Sequence, residues 1–283
     1  DVATNRALFD LLRQMGENSK AVERGQYLVE LLQILDRNDE AAEVYSQIVA
    51  CDPDNAELVL KYVTFLREIG RAEEADERLL ALAKQHRAAN QLDVAERALL
   101  ELAERRPNDE RVFEELVALY EQQKNFAQFE TYAVALARLY QQAGQAKKAV
   151  TILRRAAKVL PESVAVLSSL VDAYVSQERP ADAVRTLQQI GAIHKQAGRV
   201  SEALAAYQRA VEMAPTDPAV RQQYIEQLLA VGEVDAAALQ LEALATFLAE
   251  DKKYRPALEA LNQLIELAPE RLSARRLRAE VYE

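Results

Sequence analysis

Apolar residues return to the same places along this chain at a fixed interval. With the sequence cut every 54 residues from Val2, the eighth place of successive units holds Phe9, Val63, Val117, Val171, Ile225 and Ala279. The eleventh holds Leu12, Leu66, Tyr120, Tyr174, Leu228 and Tyr282, and the forty-fourth holds Tyr45, Leu99, Leu153, Tyr207 and Leu261. The fortieth is alanine throughout: Ala41, Ala95, Ala149, Ala203 and Ala257. Between these places apolar residues recur at spacings of three, four and seven, which is the periodicity of one helix face. Each unit contains three such stretches. In the fourth they predict helix A over 164–177, helix B over 181–196 and helix C over 201–214.

Helix-breaking residues follow the same ruler. Pro53, Pro107, Pro161, Pro215 and Pro269 stand 54 residues apart, each placed to end helix C, because proline lacks an N–H and its ring clashes with the preceding turn. Gly70 and Gly232 are placed to close helix A, and Gly144, Gly198 and Asn90 to close helix B, where a left-handed residue suits glycine best and asparagine next. Residues that start helices follow each proline: Asp54-Asn55, Asn108-Asp109, Ser163, and Asp217 ahead of Pro218.

A period of this length predicts an all-α solenoid in which each unit meets mainly its neighbours. We expect a single domain over 1–283 built from units 2–55, 56–109, 110–163, 164–217 and 218–271, with a truncated unit 272–283. That last piece reads as the start of another helix A, so the array is expected to continue in a longer protein. Its end face is then expected to be adhesive and open to self-association.

Composition agrees and narrows the class. Half the residues are hydrophobic, Trp is absent, and Gly and Pro number only 7 and 8. Helix formers dominate. No stretch approaches the roughly 20 apolar residues of a membrane span. The net charge is −10, opposite to the basic face that phosphate backbones require; RNA binding by the helical array is disfavoured on that ground. One cysteine, Cys51, supports no internal disulfide and suits a reducing compartment, the cytoplasm.

Little in the sequence points to catalysis. His86 and His194 occupy one place in different units, shared with Leu32, Tyr140 and Leu248, and read as packing residues rather than metal ligands. Cys51 shares its place with Arg105, Val159, Met213 and Leu267, a mostly apolar place, and reads as a core or partly buried thiol. There is no phosphate loop, CxxC pair, HExxH or GxSxG. We expect no catalytic residues, no cofactor and no bound metal.

Residues 130–163 carry Leu136, Ala137, Tyr140, Gly144, Ala149, Leu153, Ala156 and Pro161. This pattern resembles a tetratricopeptide repeat. Residues 184–217 match through Ile190, Gly191, Gly198, Ala203, Tyr207, Ala210 and Pro215, and 22–55 more loosely through Ala41, Tyr45 and Pro53. Family repeats are 34 residues long, so a period of 54 implies that helix B serves twice, closing an A–B repeat and opening a B–C repeat. It then needs a wide apolar stripe, which Ala183, Leu187, Ile190, Gly191 and His194 supply. The resemblance implies a right-handed superhelix. An armadillo- or HEAT-like stack fits the small residues and prolines less well.

The resemblance further implies a concave wall made by helix A. The candidate partner-binding residues on it are Lys61, Thr64, Arg67, Glu115, Gln122, Ser169, Asp172, Gln222, Gln223 and Glu226. Some family members grip a peptide carboxylate through Lys and Asn at the fifth and ninth places. Here the ninth reads Asp10, Thr64, Ala118, Asp172 and Glu226, so that clamp is missing and a basic segment suits the wall better. The alternative is a basic patch on helix C of the third unit: Lys147, Lys148, Arg154, Arg155 and Lys158. That unit holds eight Lys/Arg against six Asp/Glu, whereas 218–271 holds five against nine. The patch reads as a solvated outer face or a dock for an acidic partner. The function implied is a scaffold for protein–protein interaction, with another protein or peptide as partner, no nucleic acid and no membrane insertion. The alternative is the sensor or regulatory arm of a larger signalling or transcription protein.

Overall fold

Every helix begins on the 54-residue ruler. In the computed structural model, which describes residues 1–53 and 55–282, helix A recurs as α1 (Val2–Gln14), α4 (Ala56–Glu68), α7 (Glu110–Gln123), α10 (Val164–Val175), α13 (Pro218–Ala230) and α16 (Leu272–Tyr282). Helix B recurs as α2 (Asn18–Ile34), α5 (Ala72–Ala88), α8 (Phe126–Gln142), α11 (Pro180–Gln196) and α14 (Val234–Glu250). Helix C recurs as α3 (Asn38–Cys51), α6 (Leu92–Arg105), α9 (Ala146–Val159), α12 (Val200–Met213) and α15 (Tyr254–Leu267). The described residues contain no strand. The fold is an all-α solenoid.

Side-chain caps recur at the start of helix A and are found once on helix B, where Asn125 accepts from the Gln128 N–H at 3.4 Å ahead of α8. Asp1, Asn55, Asp109, Ser163 and Asp217 each accept a hydrogen bond from a backbone N–H in the first turn of helix A, which satisfies donors that the helix itself leaves open. Helices α2, α3, α5, α6, α9, α11, α12, α14 and α15 start without such a bond. Asp54, expected to start a helix with Asn55, lies outside the described residues, as does Glu283, the last residue of the truncated unit.

The turns are equally regular. Gly16, Gly70, Lys124, Glu178 and Gly232 have positive φ after helix A, and Asp36, Asn90, Gly144, Gly198 and Lys252 have it after helix B. These two places recur in every full unit, whatever residue stands there. Helix C ends differently. Its caps Asp52, Arg106, Leu160, Ala214 and Ala268 take extended φ between −143° and −126°, the conformation forced on a residue that precedes proline.

The chain divides into two compact halves, Asp1–Phe129 and Glu130–Glu283. In the first, α1 to α7 each pack on the next helix in sequence, and α5 also touches α7. In the second, α9 to α16 do the same, and α14 also touches α16. Helices α2, α5, α11 and α14 therefore each pack on both a preceding helix A and a following helix C. On α11 the buried stripe comprises Ala183, Val184, Thr186, Leu187, Ile190 and Gly191. The recurrent alanines Ala41, Ala95, Ala149, Ala203 and Ala257 are all fully buried.

Local packing explains the unusual residues. A Cβ on Gly191 would lie 2.8 Å from the ring of Tyr207, and one on Gly25 would lie 2.5 Å from Ile48. Tyr45 stacks on Tyr62 with centroids 5.4 Å apart, and the Arg78 guanidinium sits 5.6 Å from the Tyr62 ring centre. Asp76, only 5% exposed, accepts from Arg106 at 2.7 Å, Arg105 at 3.2 Å and Arg67 at 3.4 Å. A carboxylate this deep is tolerable because several cations surround it.

Candidate interaction surfaces

Helix A turns the candidate wall residues away from its core. Lys61, Thr64, Asp172, Gln223 and Glu226 are exposed, and Arg67, Glu115, Ser169 and Gln222 are partly so. Most are engaged within the chain. In the first half, Lys61 pairs with Glu57 at 2.8 Å, a mutual hydrogen bond that raises the lysine pKa and lowers the carboxyl. The Thr64 hydroxyl donates to the Leu60 carbonyl at 3.0 Å. Arg67 bridges to Glu101 and Asp76. Glu115 pairs with Arg87 at 2.9 Å, and Gln122 donates to Asn90 at 3.0 Å. In the second half, Ser169 donates to the Ala165 carbonyl at 2.9 Å and Asp172 pairs with Arg209 at 2.9 Å. Gln223 accepts from Gln188 at 2.8 Å, and Gln222 reaches Glu226 at 3.5 Å. Each residue presents a polar surface already tied to a neighbour.

The basic patch has a different setting. Lys147, Arg154, Arg155 and Lys158 of α9 form one wall of an open groove of about 840 Å³. Leu167, Leu170 and Tyr174 of α10 contribute its floor, and Thr186 and Gln189 of α11 stand on the far side. These α10 residues are at most 7% exposed, so they offer a partner little apolar surface. Arg179 closes one end, its guanidinium 4.9 Å from the Tyr174 ring centre and paired to Asp182. Gln177 Nε2 is buried at the edge without a hydrogen-bond partner. Lys148 points elsewhere, over the Tyr140 ring at 5.1 Å, and lines a smaller hollow of about 480 Å³ beside Gly144 and Gln177.

Sequence reading located the cations but not the groove. Helical periodicity places Lys147, Arg154 and Lys158 on one flank of α9. It carries no signal that Thr186 and Gln189 of α11 face that flank across α10. The two histidines each bury one ring nitrogen, Nε2 of His86 and Nδ1 of His194, without a hydrogen-bond partner. His86 is 5% exposed with Nδ1 against the Gln91 side-chain oxygen, and Cys51 is a partly buried free thiol. Among the described residues no group of three His, Cys, Asp or Glu has the geometry of a metal site. No described helix is long and apolar enough to cross a membrane.

Comparison with known proteins decides the family. Three tetratricopeptide-repeat profiles match, over residues 35–89, 97–192 and 184–226. The chain belongs to the tetratricopeptide-repeat superfamily. No curated protein sequence matches it. Among solved tetratricopeptide-repeat structures, YrrB, a protein with an unusual peptide-binding site, is 19% identical over 52% of this chain and 91% of its own, with a TM-score of 0.21. The P58(IPK) repeat domain is 15% identical over 92% of this chain and 88% of its own, with a TM-score of 0.22. The Cut9-Hcn1 assembly of the APC/C is 16% identical over 98% of this chain and 59% of that one, with a TM-score of 0.24. Tetratricopeptide repeats serve other proteins as binding surfaces, and this chain has the fold for that use.

Proposed function

We propose that this chain is a protein-interaction scaffold that works by binding and not by catalysis, in the cytoplasm, and that the groove floored by α10 is its principal dock. The observation that supports this reading is the contrast between its two candidate surfaces. The helix A wall consists largely of side chains already hydrogen-bonded or ion-paired within the chain, so a partner must first break those contacts. The groove, a concavity of about 840 Å³, differs in its cations: Lys147, Arg154 and Lys158 take part in no ion pair among the described residues, although Thr186, Gln189 and Arg179 on its other side are already bonded to Asp182, Pro161 and Asp182. The helix A face is the second surface, suited to a more basic partner through Asp172 and Glu226.

Affinity capture from native lysate with three baits separates the surfaces. The baits are the wild type, Lys147→Glu/Arg154→Glu/Lys158→Glu in the groove, and Thr64→Arg/Asp172→Arg/Glu226→Arg on helix A. We expect a partner of the wild type to be lost from the groove variant and kept by the helix A variant, with helical content unchanged in both. Loss from the helix A variant alone would move the dock there. Retention by both would overturn the reading.

A further inference from the structure

The groove's charges restrict what can occupy it. Its lining carries Lys147, Arg154, Arg155, Lys158 and Arg179 and not one carboxylate, on a chain whose net charge is −10. Several arginines elsewhere are neutralised at home, among them Arg67, Arg87, Arg106, Arg111 and Arg209, which hold carboxylates. Lys147, Arg154 and Lys158 are exposed and take part in no salt bridge among the described residues. Three cations without counter-charges, set along a wall above an apolar floor, form a local positive field that selects an anionic partner.

The spacing sets the partner's form. Lys147, Thr151, Arg154 and Lys158 follow one another at helical intervals, so they share a face of α9. From first to last they span about 16 Å at 1.5 Å per residue. An extended chain covers that length with about five residues at ~3.3 Å each. Its alternate side chains point to opposite sides, one set towards the cations of α9 and the other towards Gln189, whose amide now donates to the Pro161 carbonyl at 2.9 Å. Nucleic acid fits less well: single strands need exposed aromatic faces for stacking, whereas Tyr174 is 7% exposed and covered by Arg179.

We infer that the groove binds an extended acidic segment of another protein, about five residues long, with Asp or Glu set against Lys147, Arg154 and Lys158. The inference rests on the scaffold reading above and adds the chemistry of the partner. Thr151 supplies a hydroxyl between the cations, although its hydrogen bond to the Lys147 carbonyl at 2.8 Å must be shared or exchanged.

Fluorescence anisotropy on the full chain tests it, with a labelled peptide of about eight residues alternating Glu and Ala, and a second with Lys in place of Glu. We expect the Glu peptide to bind and the Lys peptide not to. Lys147→Glu/Arg154→Glu/Lys158→Glu should weaken the Glu peptide by at least about tenfold, and raising salt should weaken it steeply, because exposed charges are screened beyond the Debye length. Should the reversed variant fail to fold, Lys147→Gln/Arg154→Gln/Lys158→Gln takes its place, with the same loss expected. Equal binding of the two peptides, no binding of the Glu peptide, or a variant that binds it like wild type would overturn the inference. So would a poly(U) strand that displaces the peptide at lower concentration than the peptide itself needs. If the peptide fails while the groove variant still loses its cellular partner, the scaffold reading stands and the acidic segment falls. If capture ignores the groove, the scaffold reading itself has failed.

Discussion

At the scale of single residues, the repeat shows its tolerance in pairs. Three units place alanine on helix B and leucine on helix C: Ala83 with Leu99, Ala137 with Leu153, and Ala245 with Leu261. The fourth unit replaces this pair by Gly191 and Tyr207, and the missing Cβ is what leaves space for the ring. Gly191→Ala gains about 0.5–1 kcal/mol of helix propensity but drives a methyl into a tyrosine that is 8% exposed, an overpacking cost of about 1–3 kcal/mol. Steric cost wins, so we expect a net loss of about 1 kcal/mol in urea denaturation. Adding Tyr207→Leu rebuilds the pair used by the other units and should recover that loss. A double variant no better than the single would show that the ring is not what the glycine serves.

At the scale of elements, boundaries were more legible than usual because punctuation repeats. The sequence predicted 164–177, 181–196 and 201–214 in the fourth unit, and the helices run Val164–Val175, Pro180–Gln196 and Val200–Met213. Helix A stops earlier because Glu178 takes a φ of 54°, a turn expected of glycine and here made by glutamate. Helix B starts earlier because Pro180 occupies the first helical position, where its missing N–H costs nothing. Sister units place Gly16, Gly70 and Gly232 at the position of Glu178. A left-handed conformation costs a side-chain-bearing residue about 1–2 kcal/mol, partly offset by the greater unfolded-state entropy of glycine. Glu178→Gly should therefore raise stability by about 0.5–1 kcal/mol, and Gly70→Ala should lower it by about 1 kcal/mol, both read from the shift in denaturation midpoint. What the sequence could not convey was which flanks of neighbouring helices face each other, because that depends on three helices at once. The cations of α9 were legible and the walls opposite them were not.

For the molecule as a whole, alkaline pH reports how many phenols the fold encloses. Burial raises the pKa of Tyr45, Tyr62, Tyr207 and Tyr224, and for Tyr62 the Glu74 carboxylate, which accepts its hydroxyl at 3.1 Å, adds to the shift. A folded pKa above the unfolded value means that the fold prefers the neutral phenol. That stability is fully present below the unfolded pKa of about 10 and is lost as pH rises through the folded values. We expect the melting temperature to hold up to about pH 9 and fall above about pH 10, with a shallower fall in Tyr62→Phe. An identical slope in that variant would show that Tyr62 takes no part.

The ruler of left-handed turns and prolines also governs how this chain can change length. Excising 164–217 would bring Ser163, now the cap of α10, directly before Pro218, the first residue of α13. The join reproduces the cap-then-helix junction found at Asp217, and every later turn keeps its place in the unit. Removing a few residues inside a helix instead rotates all that follows about its axis by about 100° per residue, away from its neighbours. Growth and shrinkage of such a protein are quantised: a gene encoding it can gain or lose whole modules by recombination, while small insertions survive only in the turns.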